Sequence, residues 1–186
     1  MTDDLAIADR RVRRTRRALI SAFNRLVMEK RLDDIKVADI IAAADVGRST
    51  FYEHYSGRRD IHVDAMATPM AVLADAATGR GDEEALTGLL EHFWDNRALA
   101  RATLQGDNAR AAIRLLADQI TERLNEKPGA GTLPVRLAAM QMAQGHLGLV
   151  LAWVTGEASA KPAQLAPVIM QSSEAAVRAL FAVEAD

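Results

Sequence analysis

Apolar residues recur at helical spacing along most of the chain, separated by stretches rich in Gly, Pro and polar residues. Leu19, Ala22, Phe23, Leu26 and Val27 mark one face of an amphipathic helix over about 11–30. The polar stretch 31–36 breaks it. A short helix over about 37–44 follows, with Ile40 and Ile41 for a core, then a tight turn at Asp45-Val46-Gly47 and a third helix over about 48–55. Ser56-Gly57 ends that helix. Arg58 opens a fourth that runs to about 77, and Pro69 inside it predicts a kink, because proline gives the helical ladder no N–H. Thr78-Gly79-Arg80-Gly81 reads as a linker, with Asp82 as N-cap of the next helix.

Leu86, Leu89, Leu90 and Phe93 make one face of the fifth helix, and a short sixth covers about 97–104. Gly106-Asp107 caps a seventh, with Ile113, Leu116, Ile120 and Leu124 on one side. The segment 127–133, rich in Pro and Gly, is a loop. An eighth helix over about 134–155 and a ninth over about 163–183 finish the chain. No strand-like alternation and no internal repeat interrupts this order. The expected fold is all-α with about nine helices, three small ones near the N-terminus and then a larger helical body. The expected division is 1–60 and 61–186, with a flexible tail over 1–10.

Composition agrees with that pattern. The 186 residues are 49% hydrophobic but only 4% aromatic, and the abundant Ala, Leu, Met, Arg and Glu favour helix. The chain has no cysteine, which excludes disulfides, thiolate metal ligands and a cysteine nucleophile. The polar start 1–9 is unlike a signal peptide. The strongly apolar run Leu147–Val154 is far shorter than the roughly 20 residues that span a bilayer, so no membrane contact and a cytoplasmic location are expected. The net charge of −2 hides an asymmetry. Arg10, Arg11, Arg13, Arg14, Arg16 and Arg17 crowd one segment, and the balance turns acidic after about residue 60. Such a run is as often a solvated face as a nucleic-acid contact, so its meaning depends on its neighbours.

Those neighbours supply it. Two short helices joined by a tight turn between Val37 and Tyr55 have the sequence shape of a helix-turn-helix. Val37, Ile40, Ile41, Val46 and Phe51 would hold the helices by packing. The third helix would then display Arg48, Ser49, Thr50, Tyr52, Glu53 and His54, a density of hydrogen-bonding side chains suited to base edges and phosphates.

The stretch from Val37 through Thr50-Phe51-Tyr52-Glu53-His54-Tyr55 resembles the DNA-binding signature of the tetracycline-repressor (TetR) family. The likeness extends upstream through 14–23 and downstream through 56–61, about the first third of the chain. It implies that Thr50, Tyr52 and His54 contact phosphates or nearby base edges. Arg48 and Ser49 would read bases, and Arg58 would meet phosphate at the start of the fourth helix. Arg14 and Arg17 of the basic run would add contacts. Three positions depart from the family pattern. Asp45 replaces the turn glycine, Gly47 replaces the serine that caps the recognition helix, and Lys36 replaces a threonine that caps the second helix and touches phosphate.

Catalysis finds no support in the sequence. His62, His92 and His146 are scattered singly, no carboxylate cluster has metal spacing, and the serines lack a nucleophile context. No cofactor or metal is implied. Met70, His92, Phe93 and Trp94, with Met66, Met140 and Met142 nearby and Gln141 and Gln144 as polar groups, are candidates to line a cavity for a small, largely apolar effector. The eighth helix is apolar nearly all round, and Gly145 and Gly148 would allow another helix close. Leu147, Leu151 and Val154 with Leu165 and Ile169 of the ninth helix therefore form the expected homodimer interface. The expected activity is ligand-responsive binding of a palindromic double-stranded DNA operator by a dimer. The alternative is a helix-turn-helix protein with an architectural or partner-binding role and no inducer.

Overall fold

The structure, a computed structural model, describes residues 2–30, 32–126 and 133–181. Among them the chain is all helix. α1 is Thr2–Glu29, followed by a 3-10 turn at Leu32–Asp34, then α2 Val37–Ala44, α3 Arg48–His54 and α4 Arg58–Ala77. After the linker come α5 Glu83–Asp95, α6 Arg97–Leu104, α7 Gly106–Asn125, α8 Val135–Thr155 and α9 Pro162–Leu180. The loop expected over 127–133 lies, but for Leu133, outside the described residues, as does the last turn expected to 183.

The helices lie close to where the pattern of apolar residues places them, with one large difference. α1 begins at Thr2, well before the 11–30 span that carries apolar periodicity. α4 continues as one helix through Pro69. Its end is built by local polar contacts: the buried Thr78 hydroxyl donates to the Ala74 carbonyl at 2.8 Å, and Gly79 takes a left-handed φ of 72°. Asp82 caps α5 as expected, its carboxylate accepting from the Ala85 N–H at 3.0 Å.

Residue contacts divide the chain into two compact units, Met1–Met66 and Ala67–Asp186, and the boundary falls within α4. In the first unit α1 packs on α2, and α2 on α3. Leu19, Phe23, Ile40, Phe51 and Ile61 are fully removed from solvent there. Burial of one such side chain stabilises by about 1.5–3 kcal/mol, which fixes the short α2 and α3 despite their length. In the second unit α7 packs along α8, α6 meets both, and α5 packs on α9. Its interior is Leu73, Leu86, Leu90, Leu116, Ile120 and Val150.

α8 has 21 residues and is by length and composition apolar enough to cross a membrane, a longer span than the run Leu147–Val154 within it. Half of its most apolar stretch is buried inside the structure, as in the core helix of a helical body. The other half is partly or fully exposed among the described residues. Leu137 is 59% exposed, Leu149 is 36% exposed, and on α9 Val168 is 55% exposed.

Candidate nucleic-acid interface

The interface is built on the turn between α2 and α3. α2 starts at Lys36, whose extended backbone offers its N–H to the Asp39 carboxylate at 3.0 Å. That bond, helped by Lys30 at 3.5 Å, holds the Asp39 carboxyl below its ordinary range against the opposing effect of burial. The Asp39 carboxylate thus supplies one half of a capping box, whereas the half that a threonine oxygen at position 36 would supply has no side-chain acceptor. At the other end Asp45 adopts φ 53°, ψ 51°, and its N–H donates to the Ala42 carbonyl at 3.3 Å. It is the one non-glycine residue with positive φ among the described residues. A short polar side chain tolerates that conformation better than most, so the turn closes without glycine.

Gly47 opens α3 with no side-chain cap, and its carbonyl accepts the Phe51 N–H at 3.1 Å. Seven residues of helix then separate cleanly by face. Phe51 is fully buried, and Arg48, Ser49, Tyr52 and Glu53 are exposed, with Thr50 and His54 half-buried at the flanks. The Arg48 guanidinium lies 5.8 Å from the centroid of the Tyr52 ring, one helical turn on, so the two exposed groups form a stacked pair. Beside them a shallow groove of about 280 Å³ runs between α2 and α3, with Ala38, Ile41, Ala42 and Val46 in its wall. Asp45, Arg48 and Tyr52 also line it, so the apolar wall adjoins both a carboxylate and a guanidinium.

The arginines do not all serve the same purpose. Arg14 and Arg17 are exposed on the side of α1 away from its core residues. Arg58, expected at phosphate, turns inward, with Nη1 donating to the Leu32 carbonyl and Nη2 3.3 Å from the Asp33 carboxylate. Arg25 donates to the Ala43 carbonyl at 2.9 Å and ties α1 to the end of α2. Arg16 meets Asp64 of α4, its Nε donating to Oδ2 at 2.9 Å and its Nη2 to Oδ1. The Tyr55 hydroxyl donates to the same Oδ2. The sequence reading missed this three-residue cluster. Helical geometry offered a signal, since Arg16 stands seven residues before the core residue Phe23 and so on the same side of α1.

The residues expected to hold an effector differ in burial. Met70 and Phe93 are buried, whereas His92, Trp94, Gln141 and Gln144 are exposed. Trp94 stacks on Trp153 with centroids 5.1 Å apart, and Arg97 lies 5.6 Å above its ring. Gln144 joins Leu104, Ile113, Leu147 and Leu151 around an open groove of about 180 Å³ between α6, α7 and α8, and none of the other five lines it. Of the expected interface residues, Leu147, Val154 and Ile169 are buried in this chain's own helical body, while Leu151 and Leu165 are half-buried. Among the described residues no group of three or more His, Asp or Glu side chains gathers as a metal site would require.

No family model matches the chain, and no curated protein does. Solved structures match over most of its length. The dihydroxyacetone kinase operon activator DhaS gives a TM-score of 0.57 at 16% identity, covering 90% of this chain and 98% of that one. A TetR transcriptional regulator from Streptococcus agalactiae 2603V gives 0.55 at 22% identity, with 91% and 98% covered. The TetR family repressor AlkX from Dietzia sp. strain DQ12-45-1b, implicated in biodegradation of n-alkanes, gives 0.55 at 17% identity, with 89% and 96% covered. At such identities the shared property is the fold, a helix-turn-helix unit followed by a helical body.

Proposed function

We propose that this protein is a cytoplasmic, ligand-responsive transcriptional regulator that binds a palindromic DNA operator as a homodimer and represses transcription by occupying it. The observation that carries the reading is the two-sided α3, with Phe51 buried and Arg48, Ser49 and Tyr52 free to enter a major groove. Arg14, Arg17 and Lys36 are exposed and would meet phosphates. Of the solved structures sharing the fold, one is named an activator and another a repressor. Repression is the simpler outcome here, because a bound dimer obstructs a promoter without any further contact.

Dimerisation is supported by exposed apolar residues on the last two helices, Leu137 and Leu149 of α8, which also carries the exposed Gly145 and Gly148, and Val168 of α9. The effector would enter the second unit, and the open groove between α6, α7 and α8 favours a small apolar molecule. A second reading is an architectural or partner-binding helix-turn-helix protein without a small-molecule inducer, which the exposure of His92, Trp94 and Gln141 favours. Selection of bound duplexes from a random pool tests the DNA-binding reading. An inverted repeat with half-site centres about 34–36 Å apart is expected; recovery of no preferred sequence would refute it. A thermal-shift screen of apolar metabolites, with operator release measured for each hit, separates the two readings of the second unit.

A further inference from the structure

We propose that Asp64 is a positioning residue that sets DNA specificity, by keeping Arg16 off phosphate and by anchoring the end of α3 through Tyr55. The inference rests on the DNA-binding reading above and names a control built into that same site. Arg10, Arg14 and Arg17 follow one another at helical spacing along α1, opposite the buried Leu19 and Leu26. Arg16 belongs to the same run in sequence but lies to one side, facing α4. Its guanidinium makes two parallel bonds to the Asp64 carboxylate, the fork geometry that holds arginine most firmly. The Asp64 side chain is only 15% exposed. Burial alone would raise its carboxyl pKa, but the bonds from Arg16 and Tyr55 outweigh burial and keep it ionised.

Two consequences follow for DNA. A guanidinium already matched to a partly buried carboxylate does not neutralise a phosphate, so Arg16 adds nothing to sequence-independent affinity. The Tyr55 ring is buried against Phe51, with centroids 5.8 Å apart, and it closes the C-terminal end of α3. Fixing its hydroxyl on Asp64 fixes the roll of α3 and thereby the direction in which Arg48 and Tyr52 point. One carboxylate thus suppresses indiscriminate binding and supports sequence reading together.

The test measures binding of the full chain to its selected operator and to a random-sequence duplex from 50 to 200 mM salt. In Asp64→Ala the released Arg16 joins Arg14 and Arg17. Affinity for random duplex should rise, and its salt slope should steepen by about 0.9, which is roughly 3.5-fold across that range. Preference for the operator should fall at least about tenfold, within what loss of one well-oriented base contact costs. Arg16→Gln should leave the slope as in the parent chain. The double variant should return the slope to that value while the loss of preference persists. A role confined to folding would lower stability without steepening any slope. Asp64→Asn, which keeps an oxygen to accept the Tyr55 hydroxyl, should steepen the slope in the same way and serves if the alanine variant does not fold. A slope that falls by about 0.9 in Arg16→Gln would make Arg16 a phosphate contact and overturn the proposal. So would a slope and preference unchanged in both Asp64 variants. A parent chain that selects no sequence at all would overturn the DNA-binding reading itself.

Discussion

Arg48 occupies the first turn of α3, and its contact with the Tyr52 ring narrows the conformations its long side chain must give up on binding. An arginine so placed is suited to the O6 and N7 acceptors of guanine. Arg48→Ala should therefore cost about 1–3 kcal/mol and relax preference at one base pair per half-site. Affinities across single-base variants of the selected site check this, and an equal loss on all of them would move Arg48 to phosphate. Gly81 makes a demand of another kind. A β-carbon there would lie 2.6 Å from Ala76 Cα and 2.7 Å from its nitrogen, both backbone atoms that cannot swing aside. Gly81→Ala should destabilise by about 1–3 kcal/mol, as overpacking does. A melting temperature equal to that of the parent would show that the linker shifts freely. The two residues differed in how far the sequence disclosed them. Gly81 could be read as linker, but its close approach to Ala76 is tertiary. Arg48 could be read as a surface group of α3 because Phe51 defines the opposite face.

At the scale of elements, helix ends were legible where turn chemistry marks them, as at Gly47, Ser56-Gly57 and Asp82. The first turns of α1 were not, because the acidic stretch that opens it carries no apolar stripe to mark a helix face. The apolar residues paired α8 with α9, but a polar link between the two helices was invisible, since it joins residues 27 apart. The buried His146 faces the Met142 carbonyl through Nδ1 at 2.6 Å and the Ser173 hydroxyl through Nε2 at 2.8 Å. A carbonyl can only accept, so Nδ1 carries the proton, while the Ser173 hydroxyl has one proton to share between Nε2 and the Ile169 carbonyl 2.6 Å away. Burial holds the His146 pKa below 6.5, and no charged side chain acts on it. His62, buried near Phe23 with Nε2 unpartnered, is lowered by burial and by the Arg58 charge. Below about pH 6.5 the unfolded chain takes up these protons and the folded chain does not. Stability is then complete above that pH and declines as pH falls through it toward the lowered native values. Denaturant unfolding at pH 7.5 and 6.0 should show the loss, with His146→Gln and His62→Phe each reducing it. A transition free energy unchanged between those pH values in the parent chain would refute the assignment.

For the molecule as a whole, the decisive question is which apolar residues serve the chain and which would serve the second copy of the proposed dimer. The sequence could not separate them, because a leucine facing α7 and one facing a partner look alike. The structure commits Ile169, 1% exposed, to the chain's own interior and leaves Val168 beside it 55% exposed. The glycines carry the same message, since a β-carbon at Gly145 or Gly148 would meet nothing within 4 Å among the described residues. Glycine inside a helix costs about 1 kcal/mol relative to alanine, and no contact within the chain requires it at either position. A second helix approaching this face would require it. Gly145→Ala and Gly148→Ala should accordingly stabilise the isolated chain slightly while weakening dimerisation. Leu149→Glu and Val168→Glu should leave folding nearly intact, because exposed substitutions cost within about 0.5 kcal/mol. They should nevertheless yield monomers, since an unpaired charge buried in an apolar interface is strongly unfavourable. Operator affinity should fall with them, because two half-sites need two linked readers. Ile169→Glu, in contrast, should unfold the chain, which circular dichroism distinguishes from dissociation. Sedimentation of the Leu149 and Val168 variants decides the matter, and folded dimers in both would place the interface elsewhere.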